Sequence, residues 1–233
     1  MNCKKCDNTC IKNGFQANGL QRYLCKYCNY NQQEIYTYNA YKKNINEKIV
    51  KLAVNSYGIR DISRILTISK TTVISRVLKI AKALQWPFIY ETGQVYEADE
   101  LCVKMKGMNR CWVNYVINRK TQKIIGHSFG SNNKENLGKV IGRVLCLNPK
   151  KVYTDKLTTY PGLIPSTIHN IRKYQTNTIE RFNLNLRTHL KRLSRKTICF
   201  SKKIQMLEAV VSIYFWVFNT EQMYKKDKIS LSL

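Results

Sequence analysis

Acidic residues are scarce in this chain. Fourteen Asp and Glu stand against 40 Lys and Arg in 233 residues, a formal net charge of +26. A globular chain carries such self-repulsion where a polyanion offsets it, which points to nucleic acid well ahead of a membrane surface. Long apolar runs are also missing. No stretch approaches the ~18 residues of a membrane span, and "AVVSIYFWVF" reads as a buried core helix. An apolar leader is absent too: Cys3, Lys4, Lys5 and Cys6 stand where a signal peptide would need one. The expected setting is therefore cytoplasmic, and the nine Cys then argue for metal binding over a disulfide framework. His127, His169 and His189 form no metal spacing and are expected to be structural or at the surface. Trp112 and Trp216 are expected in the core.

What is present falls into three parts, divided near residues 42 and 90. Residues 1–42 concentrate the cysteines and end in a polar, Tyr-rich stretch, "NYNQQEIYTYNAY", expected to be an extended connector. Cys3-x2-Cys6 and Cys25-x2-Cys28 are separated by 18 residues, the spacing of a zinc ribbon. Two such knuckles supply the four thiolates that Zn2+ takes in a closed tetrahedral shell, a structural arrangement with no open position for catalysis. Cys10 is left outside that set. So small a module draws much of its folding energy from the metal. Lys4, Lys5, Lys12, Arg22 and Lys26 give it a basic surface.

Residues 43–90 carry an all-α pattern, that of a helix-turn-helix. Ile49, Leu52 and Ala53 mark a first helix, which Gly58 is expected to end. Ile62, Ile65 and Leu66 mark a short second one. The turn "LTIS" places Ser69 to cap a third helix, whose inner face shows Val73 and Val77. Its other face carries Lys70, Thr71, Thr72, Ser75, Arg76 and Lys79. A recognition helix offers such residues to DNA: Thr71, Thr72 and Arg76 are expected to meet base edges, Lys70 and Lys79 phosphates.

In residues 91–233, apolar strand-like runs alternate with helices. Four of the fourteen acids lie within residues 91–100. Adjacent residues on a strand point to opposite faces, so only one of Asp99 and Glu100 is expected to face a given site; the pattern leaves open which. Three antiparallel strands are expected first, with a turn at Asn118 to Gln122. "NKENLGKVIGRVLCL" reads as a helix and "KKVYTD" as a buried strand ending on Asp155. A short strand follows near "STIHNI". Then comes "TIERFNLNLRTHLKRLSRK", a basic amphipathic helix headed by its one acid, Glu180. This order, with acids on strand one, strand four and the late helix, is the layout of an RNase H-like α/β fold, a mixed sheet with flanking helices. Such carboxylates can converge on Mg2+ or Mn2+, and paired cations serve phosphoryl transfer. Arg187 and Lys191 follow Glu180 on one helical face, with Asn183 at its border, placed to hold DNA phosphate. Arg192, Arg195 and Lys196 are expected to track DNA backbone.

With "CKKC", "QRYLCKYC", "YTDKLTTYPGL" and above all "NTIERFNLNLRTHLKRLSRKTICFSKKIQM", the chain resembles the insertion sequence one (IS-one) family of bacterial DDE transposases over essentially its whole length. The resemblance implies Asp99, Asp155 and Glu180 as catalytic, metal-binding acids, separated here by 56 and 25 positions. It also implies binding to double-stranded DNA, both terminal inverted repeats and target, and strand cleavage and transfer by a nucleoid-associated bacterial enzyme. Synapsis of two ends implies a homodimer or a higher oligomer. A non-catalytic regulator or a structure-specific nuclease would share many of these features.

Overall fold

The computed structural model describes residues 1–86, 91–171 and 176–227. The boundary expected at residue 90 lies outside the described residues, as do residues 228–233 of the expected third part.

The N-terminal segment folds around its cysteines. Strands β1 (Cys10–Phe15), β2 (Gln21–Cys25) and β3 (Asn31–Gln33) form an antiparallel sheet in that order. The start of the Tyr-rich stretch is thus a third strand and not a free connector; Gln32 is drawn in because its amide bonds Asn2 O and the Lys4 N–H. The buried cluster of this module consists of Cys3, Cys10 and Cys25, with Cys6, Tyr23 and Cys28 against it. There is almost nothing aliphatic in it.

Three helices follow: α1 (Ile45–Val54), α2 (Ile59–Leu66) and α3 (Lys70–Ala83). Ile45, Ile49 and Ala53 recur every four residues and bury one face of α1. Gly58 does not end this helix. Asn55 does, and Gly58 is the N-cap of α2, its amide bonding Asp61 Oδ2 at 3.2 Å. Ile62 is buried, whereas Ile65 is 51% exposed and does not join the inner face. Ser69 caps α3 as expected, its hydroxyl accepting from the Thr72 amide at 3.0 Å, and Val73 and Val77 are fully buried.

The remaining elements build a five-stranded sheet. Strands β4 (Val95–Met105), β5 (Met108–Asn118) and β6 (Ile124–Gly130) are antiparallel neighbours; α4 (Lys134–Leu145) leads to β7 (Lys151–Thr154) and β8 (His169–Ile171), both parallel to β4. The sheet order is β6-β5-β4-β7-β8. The turn after β5 is fixed by Asn118, whose side-chain oxygen accepts the amides of Lys120 and Thr121. Helices α5 (Asn177–His189) and α6 (Ile204–Asp227) complete the chain.

Alternation along β4 sends Leu101 and Val103 to one face and Tyr96 and Ala98 to the other. The first face packs on α5 and α6, the second on α4, giving three layers. The buried residues of α1, α2 and α3 belong to the same continuous cluster as those of α5 and α6. Trp112 and Trp216 are only half-buried and so are not the core residues expected; the Trp216 indole donates to Gln85 O at 3.0 Å. The histidines are structural: His127 bonds Ser212, His169 bonds Thr154 and His189 bonds Tyr214.

Sequence periodicity carries α5 through Leu193, but the helix stops at His189, and Leu190 is extended. Ser56, in the turn after α1, supplies the reason. Its hydroxyl donates to His189 O at 2.6 Å and accepts the Lys191 amide at 2.9 Å, satisfying the backbone groups a longer helix would have paired. Lys191 therefore lies off the helix, in a short 3-10 turn.

Candidate active site and nucleic-acid surfaces

The structure gathers Asp99, Glu100 and Asp155, whose nearest carboxylate oxygens all lie within 4.8 Å of one another. The expectation that only one of Asp99 and Glu100 would face the site fails for a local reason. β7 pairs with β4 only across Val95–Glu97 and ends at Thr154. Beyond that point the β4 edge is open, so side chains from both faces can reach round it to Asp155, just past the strand end.

Each acid is held separately. Asp99 Oδ1 accepts the Glu100 amide at 2.8 Å, and its Oδ2 accepts Asn183 Nδ2 at 2.6 Å. Asn183 is buried and takes the Tyr115 hydroxyl on its own oxygen at 2.9 Å. It thus orients an acid from within and is not a surface contact. Glu100 accepts the Tyr160 hydroxyl. Asp155 is exposed and closes a turn on the Leu157 amide at 2.9 Å. Glu180 does not join the three. It is exposed on the first turn of α5, and its Oε1 accepts the Thr176 hydroxyl at 3.0 Å. It is close enough for its charge to act on Asp99.

Burial pushes the Asp99 carboxyl up to about 6, and the charges of Asp155 and Glu180 add to this against the Glu100 amide and Asn183. Burial likewise raises Glu100 to about 7, helped by Asp155 and Asp99 and opposed by Tyr160. The donor set fits a hard divalent cation: it is all oxygen, crowded and mutually repelling, and octahedral Mg2+ places adjacent oxygens about 2.9 Å apart. Because the folded chain holds the Glu100 proton more tightly than the unfolded one, this group favours folding less as pH rises from about 4.5 through 7. Glu100→Gln keeps an acceptor for Tyr160 and removes the charge. In chelator at pH 8 the variant is expected to be more stable than the parent by roughly 1–3 kcal/mol. That gain should vanish at acid pH, where both states are protonated. Thermal melts at the two pH values check this; a variant less stable at pH 8 would count against the repulsion.

The cysteines fit a second, softer cation. Cys3, Cys6, Cys25 and Cys28 cluster within 4.8 Å, and Cys10 stands outside. The Sγ separations Cys3–Cys28, Cys6–Cys25 and Cys6–Cys28 are 3.5, 3.5 and 3.4 Å. Tetrahedral Zn–S bonds of about 2.3 Å place sulfurs about 3.8 Å apart, so slight expansion suffices. The Lys5 amide points at Cys3 Sγ, 3.4 Å away, as it would at a thiolate.

On α3, Lys70, Thr71, Ser75 and Lys79 are exposed. Thr72 is turned into the cap, its hydroxyl against Ser69 and Tyr38. Arg76 reaches back to Ala40 O and Asn46. The Tyr38 hydroxyl accepts the Ser69 amide at 2.8 Å, a contact no local sequence signal announces. Lys191, Arg195 and Lys196 are exposed, while Arg192 is half-buried against Ser201. Arg187 is half-buried with its Nε unbonded; burial, then Arg195, lowers its pKa, and the charge of Asp99 opposes this. Sequence reasoning gives Tyr115 and Tyr160 no role. Alternation places Glu97 on the strand face of Asp99, but the resemblance assigns the role there to Asp99 and leaves Glu97 without one.

Residues 97–224 match the family described as IS1 transposase, and residues 36–82 match the InsA C-terminal domain. The insertion element iso-IS1n protein InsB of Shigella dysenteriae is 34% identical over 103 residues, 44% of this chain and 79% of the relative. The IS1 4 protein InsB of Escherichia coli K12 is 33% identical over 103 residues, 44% of this chain and 62% of that protein. Among solved structures, the simian T-cell lymphotropic virus intasome in complex with PP2A regulatory subunit B56 gamma aligns over 70% of this chain and 66% of its own. Its TM-score of 0.39 at 9% identity is too low to bear on the fold. The matched segment runs from β4 through most of α6 and contains every acid of the cluster, so the chain belongs to the IS1 transposase family.

Proposed function

We propose that this protein is a DDE transposase that binds the terminal inverted repeats of an insertion sequence, cleaves them and joins them to target DNA. The observation that carries the reading is the convergence of Asp99, Glu100 and Asp155 at the open β4–β7 edge, inside the family-matched segment, with Glu180 on the adjoining helix. Three antiparallel strands followed by two parallel to the first, in the order β6-β5-β4-β7-β8, support an RNase H-like catalytic domain. We assign residues 1–42 to a zinc ribbon, 43–90 to the helix-turn-helix and 91–233 to catalysis.

Asp99, Asp155 and Glu180 would hold divalent cations, Mg2+ or Mn2+, with Glu100 beside them. Bound there, the cations supply Lewis acidity for the attacking oxygen and charge for the leaving one. The chain's own part is placement. Asn183 and the Glu100 amide fix the Asp99 carboxylate; Asp155 is set by its turn. Arg187, Lys191, Arg195 and Lys196 offer positive charge to the phosphates of the strand being cut. In the first step water attacks the phosphorus and the bond to the 3′ oxygen breaks, leaving a 3′-hydroxyl. In the second that hydroxyl attacks a target phosphodiester, loses its proton and displaces the target's own 3′ oxygen. Exposed Lys70, Thr71, Ser75 and Lys79 on α3, with the basic ribbon, would read and grip the ends. Pairing of two ends requires at least a homodimer. The setting is the bacterial cytoplasm, on nucleoid DNA; among the described residues no helix is long and apolar enough to cross a membrane.

Purified protein, duplexes carrying the element's ends, and Mn2+ test the reading. Nicked and joined products are expected, with binding that weakens steeply as salt rises. Binding without any nicking would leave a DNA-binding regulator; nicking without joining would leave a nuclease.

A further inference from the structure

Among the described residues, helix α5 begins without a local side-chain cap. Its N-cap residue, Thr176, makes no side-chain bond to the first-turn amides; its hydroxyl goes to Glu180. A buried amide left without an acceptor costs about 1–3 kcal/mol. The Ile179 amide finds its acceptor on another element: Glu97 Oε2, on β4, at 2.9 Å. Ile179 and Glu97 are both 0% exposed. A carboxylate also suits the positive end of a helix.

The other oxygen of Glu97 lies 3.1 Å from Arg119 Nε, too poorly aligned for a hydrogen bond, so charge and not direction joins them. The Arg119 guanidinium lies 4.9 Å from the centre of the Tyr153 ring. Tyr153 is the register partner of Glu97 on β7, two residues before Asp155. One buried side chain thus touches β4 and α5 directly and β7 through Arg119. These elements bear Asp99, then Glu180 and Asn183, and lead into Asp155. An apolar residue would pack α5 on the sheet at less desolvation cost, since buried ion pairs seldom outperform apolar replacements. It would not fix where the helix starts.

We propose that Glu97 is a positioning residue, capping α5 from the neighbouring strand so that Asn183 meets Asp99 and Glu180 is set beside the acid cluster. This rests on the reading that these acids hold a divalent cation. Direct Mn2+ binding to the full-length chain with its ribbon zinc in place and Mg2+ removed, followed by the paramagnetic resonance of free Mn2+, tests it without requiring activity. Glu97→Leu removes both the acceptor for Ile179 and the charge facing Arg119. It is expected to bind Mn2+ on the order of 10-fold more weakly, with faster amide exchange across the first turns of α5. Val144→Ala, a core change on α4 across the sheet, should lower the melting temperature yet keep Mn2+ affinity. Should Glu97→Leu not fold, Arg119→Lys reads the same network, through loss of the guanidinium from Tyr153, and is expected to weaken Mn2+ as well. Parental affinity in the folded variant, or an equal loss in Val144→Ala, overturns the inference. A parent chain that binds no Mn2+ overturns the metal reading itself, and this inference with it.

Discussion

Asp155→Asn is expected to reduce end cleavage and joining by at least about 10³-fold, the rate equivalent of several kcal/mol of lost transition-state stabilisation. Binding to element ends should be unchanged. The geometry makes this substitution informative. Asp155 is exposed, and among the described residues its carboxylate bonds only the Leu157 amide, which an Asn oxygen accepts equally well. The turn after β7 is therefore kept and only the charge is lost. Asp99 is a less clean test, because both of its oxygens are engaged by the Glu100 amide and Asn183, and an amide cannot satisfy both donors. Gel-based cleavage and joining assays alongside fluorescence anisotropy on the same duplex separate chemistry from binding. An Asp155→Asn protein that joins ends at the parental rate removes this residue from the site.

The second large effect is expected in the ribbon. Cys25→Ser, or a zinc chelator, should unfold residues 1–33 while the helices and the five-stranded sheet melt as before. The buried cluster of this module is almost wholly cysteine, so the three short strands have no apolar core to fall back on. Apparent zinc-binding energies of about 10–16 kcal/mol in small zinc modules show how much stability leaves with the metal. Exposed Lys4, Lys5, Lys12, Arg22 and Lys26 lose their arrangement at the same time. End binding should then weaken by about tenfold or more, with a shallower dependence on salt. Limited proteolysis and anisotropy check both halves. A ribbon that resists protease in chelator, or unaltered end binding, would make the metal dispensable.

Much of the architecture was legible because it is locally encoded. The paired knuckles announce a four-thiolate shell by spacing alone. Ser69 before an apolar period announces the start of α3, and the β4–β5–β6 meander follows from alternation and a turn at Asn118. The misses are equally physical. Ile65 fits the apolar pattern of α2, but that helix is too short for every apolar position to find cover, and Ile65 faces solvent. Gly58 was legible as a helix boundary, though it opens α2 and does not close α1.

The sequence by itself determined which residue types are available for chemistry and which segments form strands and helices, since both depend on neighbours a few positions away. Only the tertiary structure decided how the acids meet. Asp99 and Glu100 share one site because β7 ends early and leaves the β4 edge open. α5 stops at His189 because Ser56, 133 positions earlier, takes up its terminal carbonyl. Its start is met by Glu97, 82 positions away on the sheet. Unpaired backbone groups at a helix end must be satisfied somewhere. When the partner comes from a distant element, no local pattern records it.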